Sequence, residues 1–445
     1  MRIIDNMLLV STNDEEKHEL LINTLTGKIN VVSADEAKCI RRLKVGEFSN
    51  LDSRLEKRLI NDMLKAGLIM SASEEEKLVA QILSECRQRH NLVMNQNQIT
   101  VFVLTYMCNF ACPYCYEYAP LNQDCKVMTK EMVDRVFEIN AGTLNQIALY
   151  GGEPLLPETR KIVEYIVSKA PLAEYSVTTN GYHLVDFIDI LSNLKVQYVM
   201  VTLDGPEEAH DLTRMLKGGG RTYARIIQGI KMCLNHLVPI RIRMNISEEN
   251  VSSCEKLREM LINEFGSQFD SGLLTLELQP LFQLSFDNRN KLNDRLVYNK
   301  VADEGTPLRY NTIMHTVSPI LSPFLNNERR KFVPRYCNCD AEGKRRFYDV
   351  NGDIYSCILS LNNKAAVVGT FYPEFKFKEN SILTRNVEEI AECRACKLKF
   401  LCGGGCANGI IATDGDVMKP NCHQTMYEIY YELPRLFRKY TNDGN

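Results

Sequence analysis

The feature that most constrains this chain is the distribution of its cysteines. Of 16 cysteines among 445 residues, eleven fall into two groups. The first group is Cys108-x3-Cys112-x2-Cys115, and the second begins at Cys337 and ends at Cys422. Thiolates at such spacings are typical ligands of iron–sulfur clusters. Because three thiolates cannot ligate all the irons of a [4Fe–4S] cubane, the first group predicts an iron with an open coordination site.

Composition limits the classes of protein to which this chain can belong. A net charge of −3 and a pI near 6.2 give no electrostatic case for binding nucleic acid or an anionic membrane. No apolar run reaches the roughly 20 residues that a bilayer requires, and acidic residues come too early for a signal peptide, so we expect a cytoplasmic protein. A reducing compartment disfavours disulfides and favours metal ligation. The cysteines outside the groups are expected to be buried free thiols: Cys39, Cys86, Cys125, Cys233 and Cys254.

Residues 1–95 are predicted to form a winged-helix-like domain. Alternating apolar and polar residues around a Thr-Gly-Lys turn indicate a β-hairpin over residues 18–33. Ser33 and Glu36 have the spacing of a capping box, and a second helix should end at Gly67. A further helix then leads to the next domain.

Residues 96–315 alternate regularly between apolar strands and amphipathic helices. Six such β-α units imply an α/β fold, a parallel sheet closed or partly closed into a barrel. In barrels of this kind the chemistry lies at the carboxyl ends of the strands. The informative motifs follow successive predicted strands: Cys108, Gly151-Gly152-Glu153-Pro154, Asn180-Gly181 and Asp204-Gly205.

The spacing of the first cysteine group resembles that of radical S-adenosylmethionine (SAM) enzymes. The likeness extends to Tyr114 before the third cysteine and to the GGEP segment after the next strand. It implies a partial (β/α)6 barrel core in which Cys108, Cys112 and Cys115 hold a [4Fe–4S] cluster whose open iron binds SAM. An electron then cleaves SAM, and the resulting 5′-deoxyadenosyl radical abstracts a substrate hydrogen. A zinc site is the rival interpretation, with Cys125 as its fourth ligand.

The resemblance also implies contacts to SAM. Gly151 and Gly152 would let the backbone approach closely, and Glu153 would accept a hydrogen bond from the SAM ammonium group. Arg214 is a candidate for the SAM carboxylate and Thr202 for the ribose. Structural roles in turns and at the surface are the alternative, and His210 is expected to be structural. The other candidate cofactor-binding residues are Tyr114, Asn180, Asp204 and Arg243.

Residues 316–445 resemble the SPASM extension of radical SAM proteins, which carries auxiliary [4Fe–4S] clusters. By position, the first auxiliary cluster takes Cys337, Cys339, Cys357 and Cys406. The second takes Cys393, Cys396, Cys402 and Cys422. Cys337 and Cys339 are unusually close, so one of them could be spare and leave an open iron. A zinc ribbon is the alternative, because CxxC pairs also bind zinc.

Relatives with a SPASM extension act mostly on peptides or proteins, so the resemblance implies a peptide maturase that forms a thioether or carbon–carbon cross-link. The N-terminal domain would bind the precursor peptide by strand addition, unless it is a packing or dimerisation module. An electron donor such as flavodoxin or ferredoxin is expected. Formylglycine formation of the sulfatase-maturase type is a second hypothesis, but those enzymes place Asp where Ile358 follows Cys357. A non-catalytic electron-transfer or peptide-binding protein is the third.

Overall fold

The computed structural model describes residues 1–14, 16–44, 54–95, 99–115, 126–247, 250–280, 311–313, 332–337, 345–378, 382–413, 416–422, 425–426 and 428–442. The chain forms two compact units. The terminal unit comprises residues 1–95, 316–341 and 384–445, and the barrel unit comprises residues 96–315 and 342–383. Residues 342–383, assigned from sequence to the C-terminal extension, thus group with the barrel. No helix in the described ranges is both long and apolar enough to cross a membrane.

The N-terminal part of the terminal unit contains the predicted hairpin and helices. Its elements are β1 (Arg2–Ile3), β2 (Met7–Ser11), β3 (Glu19–Asn23), β4 (Ile29–Val32), α1 (Ala34–Lys44), α2 (Arg54–Lys65), β5 (Ile69–Met70) and α3 (Ala72–Asn95). Strands β2, β3 and β4 form an antiparallel sheet in that order, and β1 pairs with β5. The hairpin is β3–β4; β2, which the sequence analysis did not predict, adds its third strand.

Local hydrogen bonds explain where the helices begin and end. The Ser33 backbone N–H donates to Glu36 Oε2 at 2.9 Å, and the Glu36 N–H donates to Ser33 Oγ at 3.3 Å. This reciprocal pair confirms the predicted capping box. Helix α2 ends before Gly67, whose φ of 68° is left-handed, and the Leu68 N–H donates to the Met63 carbonyl at 2.8 Å. Gly67 therefore ends the helix as predicted, in a Schellman-type arrangement.

The C-terminal part of the terminal unit packs on this sheet. It consists of short helices Ala391–Arg394, Lys399–Cys402 and Ala407–Thr413, a π-helical turn Glu428–Glu432 and a helix Leu433–Asn442. One core cluster joins sheet residues Val10, Leu20 and Ile22 to C-terminal residues Leu401, Ile429 and Leu433. The two ends of the chain therefore share one hydrophobic core.

The barrel unit confirms the alternating α/β pattern. Its parallel strands are β6 (Ile99–Val103), β7 (Gln146–Tyr150), β8 (Glu174–Thr179), β9 (Lys195–Thr202), β10 (Ile240–Ile246), β11 (Leu274–Pro280) and β12 (Asn311–Ile313). The helices are α4 (Lys130–Ile139), α5 (Arg160–Lys169), α6 (Leu184–Leu191), α7 (Glu207–Thr213), α8 (Tyr223–Asn235) and α9 (Val251–Asp270). Strands β6 to β12 neighbour one another in chain order. This is the sheet of a partial barrel, so the carboxyl ends of its strands share one edge.

A second group of strands extends the sheet beyond β6. Strand β13 (Arg345–Asp349) pairs parallel to β6, and antiparallel strands β14 (Asp353–Tyr355), β15 (Gly369–Thr370) and β16 (Lys376–Phe377) follow. The segment 282–335 lies mostly outside the described residues; β12 belongs to it.

The turn between β13 and β14 is fixed by a buried carboxylate. Asp349 accepts two backbone hydrogen bonds at 2.9 Å, and its Oδ2 accepts one from the Tyr106 hydroxyl at 2.9 Å. Gly352 has a φ of 84°, and a Cβ there would lie 2.2 Å from the Tyr372 carbonyl oxygen. Only glycine fits this turn.

Candidate active site

The first cysteine group lies on the loop that follows β6. The loop is held by hydrogen bonds from Ala111 N–H to the Met215 carbonyl at 2.9 Å and from Lys217 N–H to the Asn109 carbonyl at 2.8 Å. Cys112 is buried, and Cys108 and Cys115 are partly exposed. The three thiols are therefore presented together at the carboxyl edge of the sheet.

The charges around these thiols suit a bound cationic centre. Burial raises the pKa of Cys108 to about 12, and negative charge on Glu153, Cys112 and Cys115 adds to that rise. The Phe110 backbone N–H, 3.4 Å from Cys108 Sγ, acts in the opposite direction. Buried thiolates this close to one another require positive charge to compensate them, and iron in a cluster supplies it. The donor set therefore fits a [4Fe–4S] cluster.

Backbone contacts bind the GGEP segment to the cysteine loop. The Gly152 N–H donates to the Thr105 carbonyl at 2.9 Å, and the Glu153 N–H donates to the Met107 carbonyl at 2.7 Å. A Cβ on Gly151 would lie 2.3 Å from the Thr105 oxygen, and one on Gly152 would lie 2.4 Å from the Met107 oxygen. Both glycines are needed because the two loops touch through their backbones.

The Glu153 carboxylate is fully buried and bonds to neighbouring residues of this chain. Its Oε1 accepts from the Leu155 N–H at 2.9 Å and from the Thr179 hydroxyl at 2.6 Å, and its Oε2 accepts from the Asn180 N–H at 2.6 Å. Burial raises the pKa of Glu153, and these hydrogen bonds oppose the rise. Glu153 thus ties the end of β7 to the end of β8. Its bond to the SAM ammonium group stays a prediction.

Asn180 connects the end of β8 to the cysteine loop. Its Nδ2 donates to Asn109 Oδ1 at 2.7 Å and lies 3.8 Å from Cys108 Sγ. The sequence pattern predicts Asn180 but does not indicate Thr179, the hydroxyl partner of Glu153. Its only signal was its place directly before Asn180 at the end of β8.

Three predicted residues meet on the other side of the loop. The Tyr114 hydroxyl donates to Asp204 Oδ2 and accepts from Arg214 Nη1 at 2.7 Å, and Arg214 Nη1 lies 3.9 Å from Asp204 Oδ2. Burial raises the pKa of Asp204, and the Arg214 charge opposes that rise. The aromatic residue before the third cysteine is thereby anchored by an ion pair from two other segments.

The remaining residues that were singled out from the sequence lie at different places in the barrel unit. Thr202 is the buried last residue of β9, and Arg243, opposite it in register, lies in the middle of β10. Arg243 Nε donates to Oε1 of Glu277 at 2.7 Å, and Glu277 is fully buried on β11. Glu277 was not predicted from the sequence, where its only signal is a charge in an apolar strand. Burial lowers the pKa of His210 to about 3, which agrees with a structural role.

Four cysteines of the second group lie together in the terminal unit. Burial raises the pKa of Cys393 to about 12, and negative charge on Cys402, Cys396 and Cys422 adds to the rise. The Leu398 N–H donates to Cys396 Sγ at 3.4 Å. Their mutual proximity fits the ligand set predicted for the second auxiliary cluster.

The structure describes only part of the ligand set predicted for the first auxiliary cluster. Cys337 and Cys406 belong to the terminal unit and Cys357 to the barrel unit, whereas Cys339 lies outside the described residues, as does Cys125. All described cysteines are free thiols, and Cys39, Cys86, Cys233 and Cys254 are buried as predicted. Within the described ranges, no three His, Cys, Asp or Glu side chains surround a single metal-ion position.

A parallel partial barrel with three thiols and a glycine-rich contact at its carboxyl edge defines a class of enzyme. Residues 102–261 match the family model described as the Radical SAM superfamily. The chain therefore contains a Radical SAM domain over these residues.

Known proteins similar to this chain include maturation enzymes. The sporulation killing factor maturation protein SkfB of Bacillus subtilis is 24% identical over 209 residues, which are 43% of this chain and 50% of SkfB. A serine-type anaerobic sulfatase-maturating enzyme of Klebsiella aerogenes is 22% identical over 67% of this chain and 76% of its own length. The structure of Streptococcus suis SuiB bound to precursor peptide SuiA has a TM-score of 0.55 at 14% identity and covers 94% of this chain and 98% of SuiB. The last similarity shows a shared fold.

Proposed function

We propose that this chain is a peptide maturase that forms a thioether or carbon–carbon cross-link in a ribosomally made peptide. The observation that carries the proposal is a strand edge beside the N-terminal helices, in a chain that also holds a radical SAM site. The similarity to SkfB, a maturation protein, and to SuiB, whose structure holds a precursor peptide, supports the same substrate class.

Strand β4 offers this edge. Among the described residues it pairs only with β3, and its middle residues, Asn30 and Val31, are exposed. Val31 is an exposed apolar side chain, 49% accessible. An extended peptide can add to such an edge through main-chain hydrogen bonds while alternate side chains provide specificity. We therefore assign the precursor's leader segment to β4.

In the barrel unit, the chain's own residues prepare the reaction. Cys108, Cys112 and Cys115 would hold the cluster, which together with SAM supplies a carbon-centred radical when both are bound. Gly151 and Gly152 keep the neighbouring backbone close to that loop. Glu153 and the buried groups around it fix the strand ends and exclude water from the site.

The clusters held by the second cysteine group would transfer electrons. Cys393, Cys396, Cys402 and Cys422 suit a cluster that accepts the electron left after hydrogen abstraction. The set Cys337, Cys339, Cys357 and Cys406 remains the proposed first auxiliary site, and flavodoxin or ferredoxin the proposed donor. With all three sites loaded, iron analysis should give about 12 irons per chain.

The activity can be tested with anaerobically reconstituted protein, dithionite and SAM. We expect 5′-deoxyadenosine from the wild type and none from Cys112→Ala. Mass spectrometry of a candidate precursor peptide, co-expressed with this chain, should show loss of two hydrogens without a new aldehyde. An aldehyde that reacts with a hydrazine probe would instead support formylglycine formation, and absence of 5′-deoxyadenosine would refute the catalytic assignment.

The docking site is tested separately. Val31→Lys places a charge on the strand edge and should weaken binding of the precursor at least 10-fold, equivalent to about 1.4 kcal/mol. Cleavage of SAM without peptide should stay unchanged. Leu172→Lys, at an apolar residue that is 91% exposed in the barrel unit, is the matched control. Equal peptide affinity in both variants would exclude β4 as the docking edge.

A further inference from the structure

Arg385 is a buried cation that is held by backbone carbonyls. Its side chain is completely inaccessible to solvent. Its guanidinium donates to four backbone carbonyls: Gly404 at 2.6 Å, Gly405 at 2.9 Å, Val417 at 2.8 Å and Lys419 at 2.9 Å. None of the carboxylates in the described part of the chain pairs with it. Burying a charge in this way is costly unless opposite charge lies close by.

The carbonyls that Arg385 binds belong to the two segments that carry Cys402 and Cys422. Gly404 and Gly405 follow Cys402, and Val417 to Lys419 precede Cys422. The segments also meet directly, because the Asn421 N–H donates to the Gly404 carbonyl at 2.9 Å. Arg385 therefore fixes how far these two cysteines lie from each other.

Glycine is required beside the guanidinium. A Cβ on Gly404 would lie 3.1 Å from Arg385 Nη1, and a Cβ on Gly405 would lie 1.8 Å from the Asn421 carbonyl oxygen. Both glycines have left-handed φ values, 82° and 74°. The Gly403-Gly404-Gly405 run thus makes room for Arg385 as well as for the turn itself.

Thiolates of Cys393, Cys396, Cys402 and Cys422 are the negative groups that a bound cluster would place near Arg385. Through the carbonyls of Gly404, Gly405 and Lys419, the guanidinium lies beside the turns that carry Cys402 and Cys422. Two other cations interact electrostatically with these cysteines. Arg335 interacts with Cys402, and Lys399 interacts with Cys396 and Cys393. Glu392, near Cys422, is the acidic neighbour. A cluster ligated by four thiolates is anionic and gains a further negative charge on reduction.

We propose that Arg385 is the internal counter-charge of the second auxiliary cluster and a positioning residue for its ligands, so that it raises the reduction potential of that cluster. The proposal rests on the function proposed above, in which Cys393, Cys396, Cys402 and Cys422 hold a [4Fe–4S] cluster. Because reduction adds negative charge, a nearby buried cation stabilises the reduced form more than the oxidised form. The second auxiliary cluster would then be suited to accept an electron.

The test is a redox titration of the full chain, followed by electron paramagnetic resonance. The parent variant carries Cys108→Ala, Cys112→Ala and Cys115→Ala, so only auxiliary clusters contribute. The signal lost on adding Cys396→Ala identifies the second cluster. In this parent, Arg385→Gln should shift that signal to a more negative potential, whereas Arg385→Lys, which keeps the charge, should stay near the parent value. Arg41→Gln, at an exposed arginine paired with Glu19, is the matched control and should cause no shift.

Each outcome decides the proposal. A fully loaded Arg385→Gln variant with the parent's potential would overturn it. If Arg385→Gln fails to hold the cluster, a loaded Arg385→Lys variant with the parent's potential supports the charge role, and loss of the cluster in both variants overturns it. A parent without any Cys396-dependent signal would instead refute the proposed auxiliary cluster itself, and Arg385's role with it.

Discussion

Gly152 is a position where a single added methyl group should disturb the candidate active site through steric contact alone. Its φ lies outside the left-handed region, so alanine meets no conformational penalty there. The obstacle is purely steric, because the new Cβ would lie 2.4 Å from the Met107 carbonyl oxygen and 2.5 Å from that of Tyr106. To reach ordinary contact, the segment before Cys108 must move by about 1 Å. Overpacking of this kind costs about 1–3 kcal/mol, and weakening the adjoining backbone hydrogen bond adds about 1 kcal/mol.

Gly152→Ala should therefore lower the unfolding free energy by about 2–4 kcal/mol. It should also slow SAM cleavage by about 100-fold, because the ligand loop moves relative to its neighbours. The measurements are anaerobic urea unfolding followed by circular dichroism and the rate of 5′-deoxyadenosine formation.

Gly266→Ala is the matched control for Gly152→Ala. Gly266 lies within α9, and a Cβ there has nothing within 4 Å. Alanine should be neutral or stabilise the helix by about 0.5–1 kcal/mol without affecting the reaction. If Gly152→Ala behaves like this control in both assays, the steric reasoning is wrong.

Three further predictions follow from single contacts. Ser33→Ala removes the N-cap of α1 and should lower the unfolding free energy by about 1 kcal/mol; a change in the urea midpoint too small to resolve would contradict the role of the capping box. Burial raises the pKa of Asp349 from 3.8 to about 6, so its protonation stabilises the folded state, fully below pH 3.8 and no longer above about pH 6. Relative to Asp349→Asn, the wild type should gain about 1–2 kcal/mol in unfolding free energy from pH 8 to pH 5, and parallel pH profiles would refute this. Tyr114→Phe leaves Asp204 and Arg214 without their shared hydroxyl and should cost about 1–3 kcal/mol by urea unfolding; an unchanged midpoint would mean that the hydroxyl contributes nothing.

The barrel was predictable because its strands are long and alternate with helices in the sequence. Strand β10, for example, places Ile240, Ile242 and Met244 on one buried face, which a period of two reveals directly. Strands β14, β15 and β16 have only two or three residues each. Segments this short have no recognisable period, and their pairing depends on contacts made in the folded chain. The same holds for β2, which joins the hairpin by tertiary packing.

The parts of the candidate site that depend on spacing could be proposed from the sequence, whereas the parts that depend on single side chains could not. The cysteines, Gly151, Gly152 and Glu153 stand at fixed intervals after predicted strands. Thr179 and Glu277 are isolated polar residues in strands, and nothing in their neighbourhood in the sequence indicates what they bind. Their partners, Glu153 and Arg243, are distant in sequence and adjacent only in the sheet.

The two cysteine groups share a local geometry that explains why spacing was informative. In the first group the Phe110 N–H donates to Cys108, and in the second the N–H groups of Leu398 and Gly404 donate to Cys396 and Cys402. In each case the donor is the backbone two residues after the cysteine. Because a backbone donor is present whatever the side chain, these loops preserve the distance between ligands rather than the identity of the intervening residues. Positive charge near the sulfur atoms, in contrast, cannot be supplied by backbone N–H groups. It must come from a side chain, which can reach the site from any point in the chain, as Arg385 does.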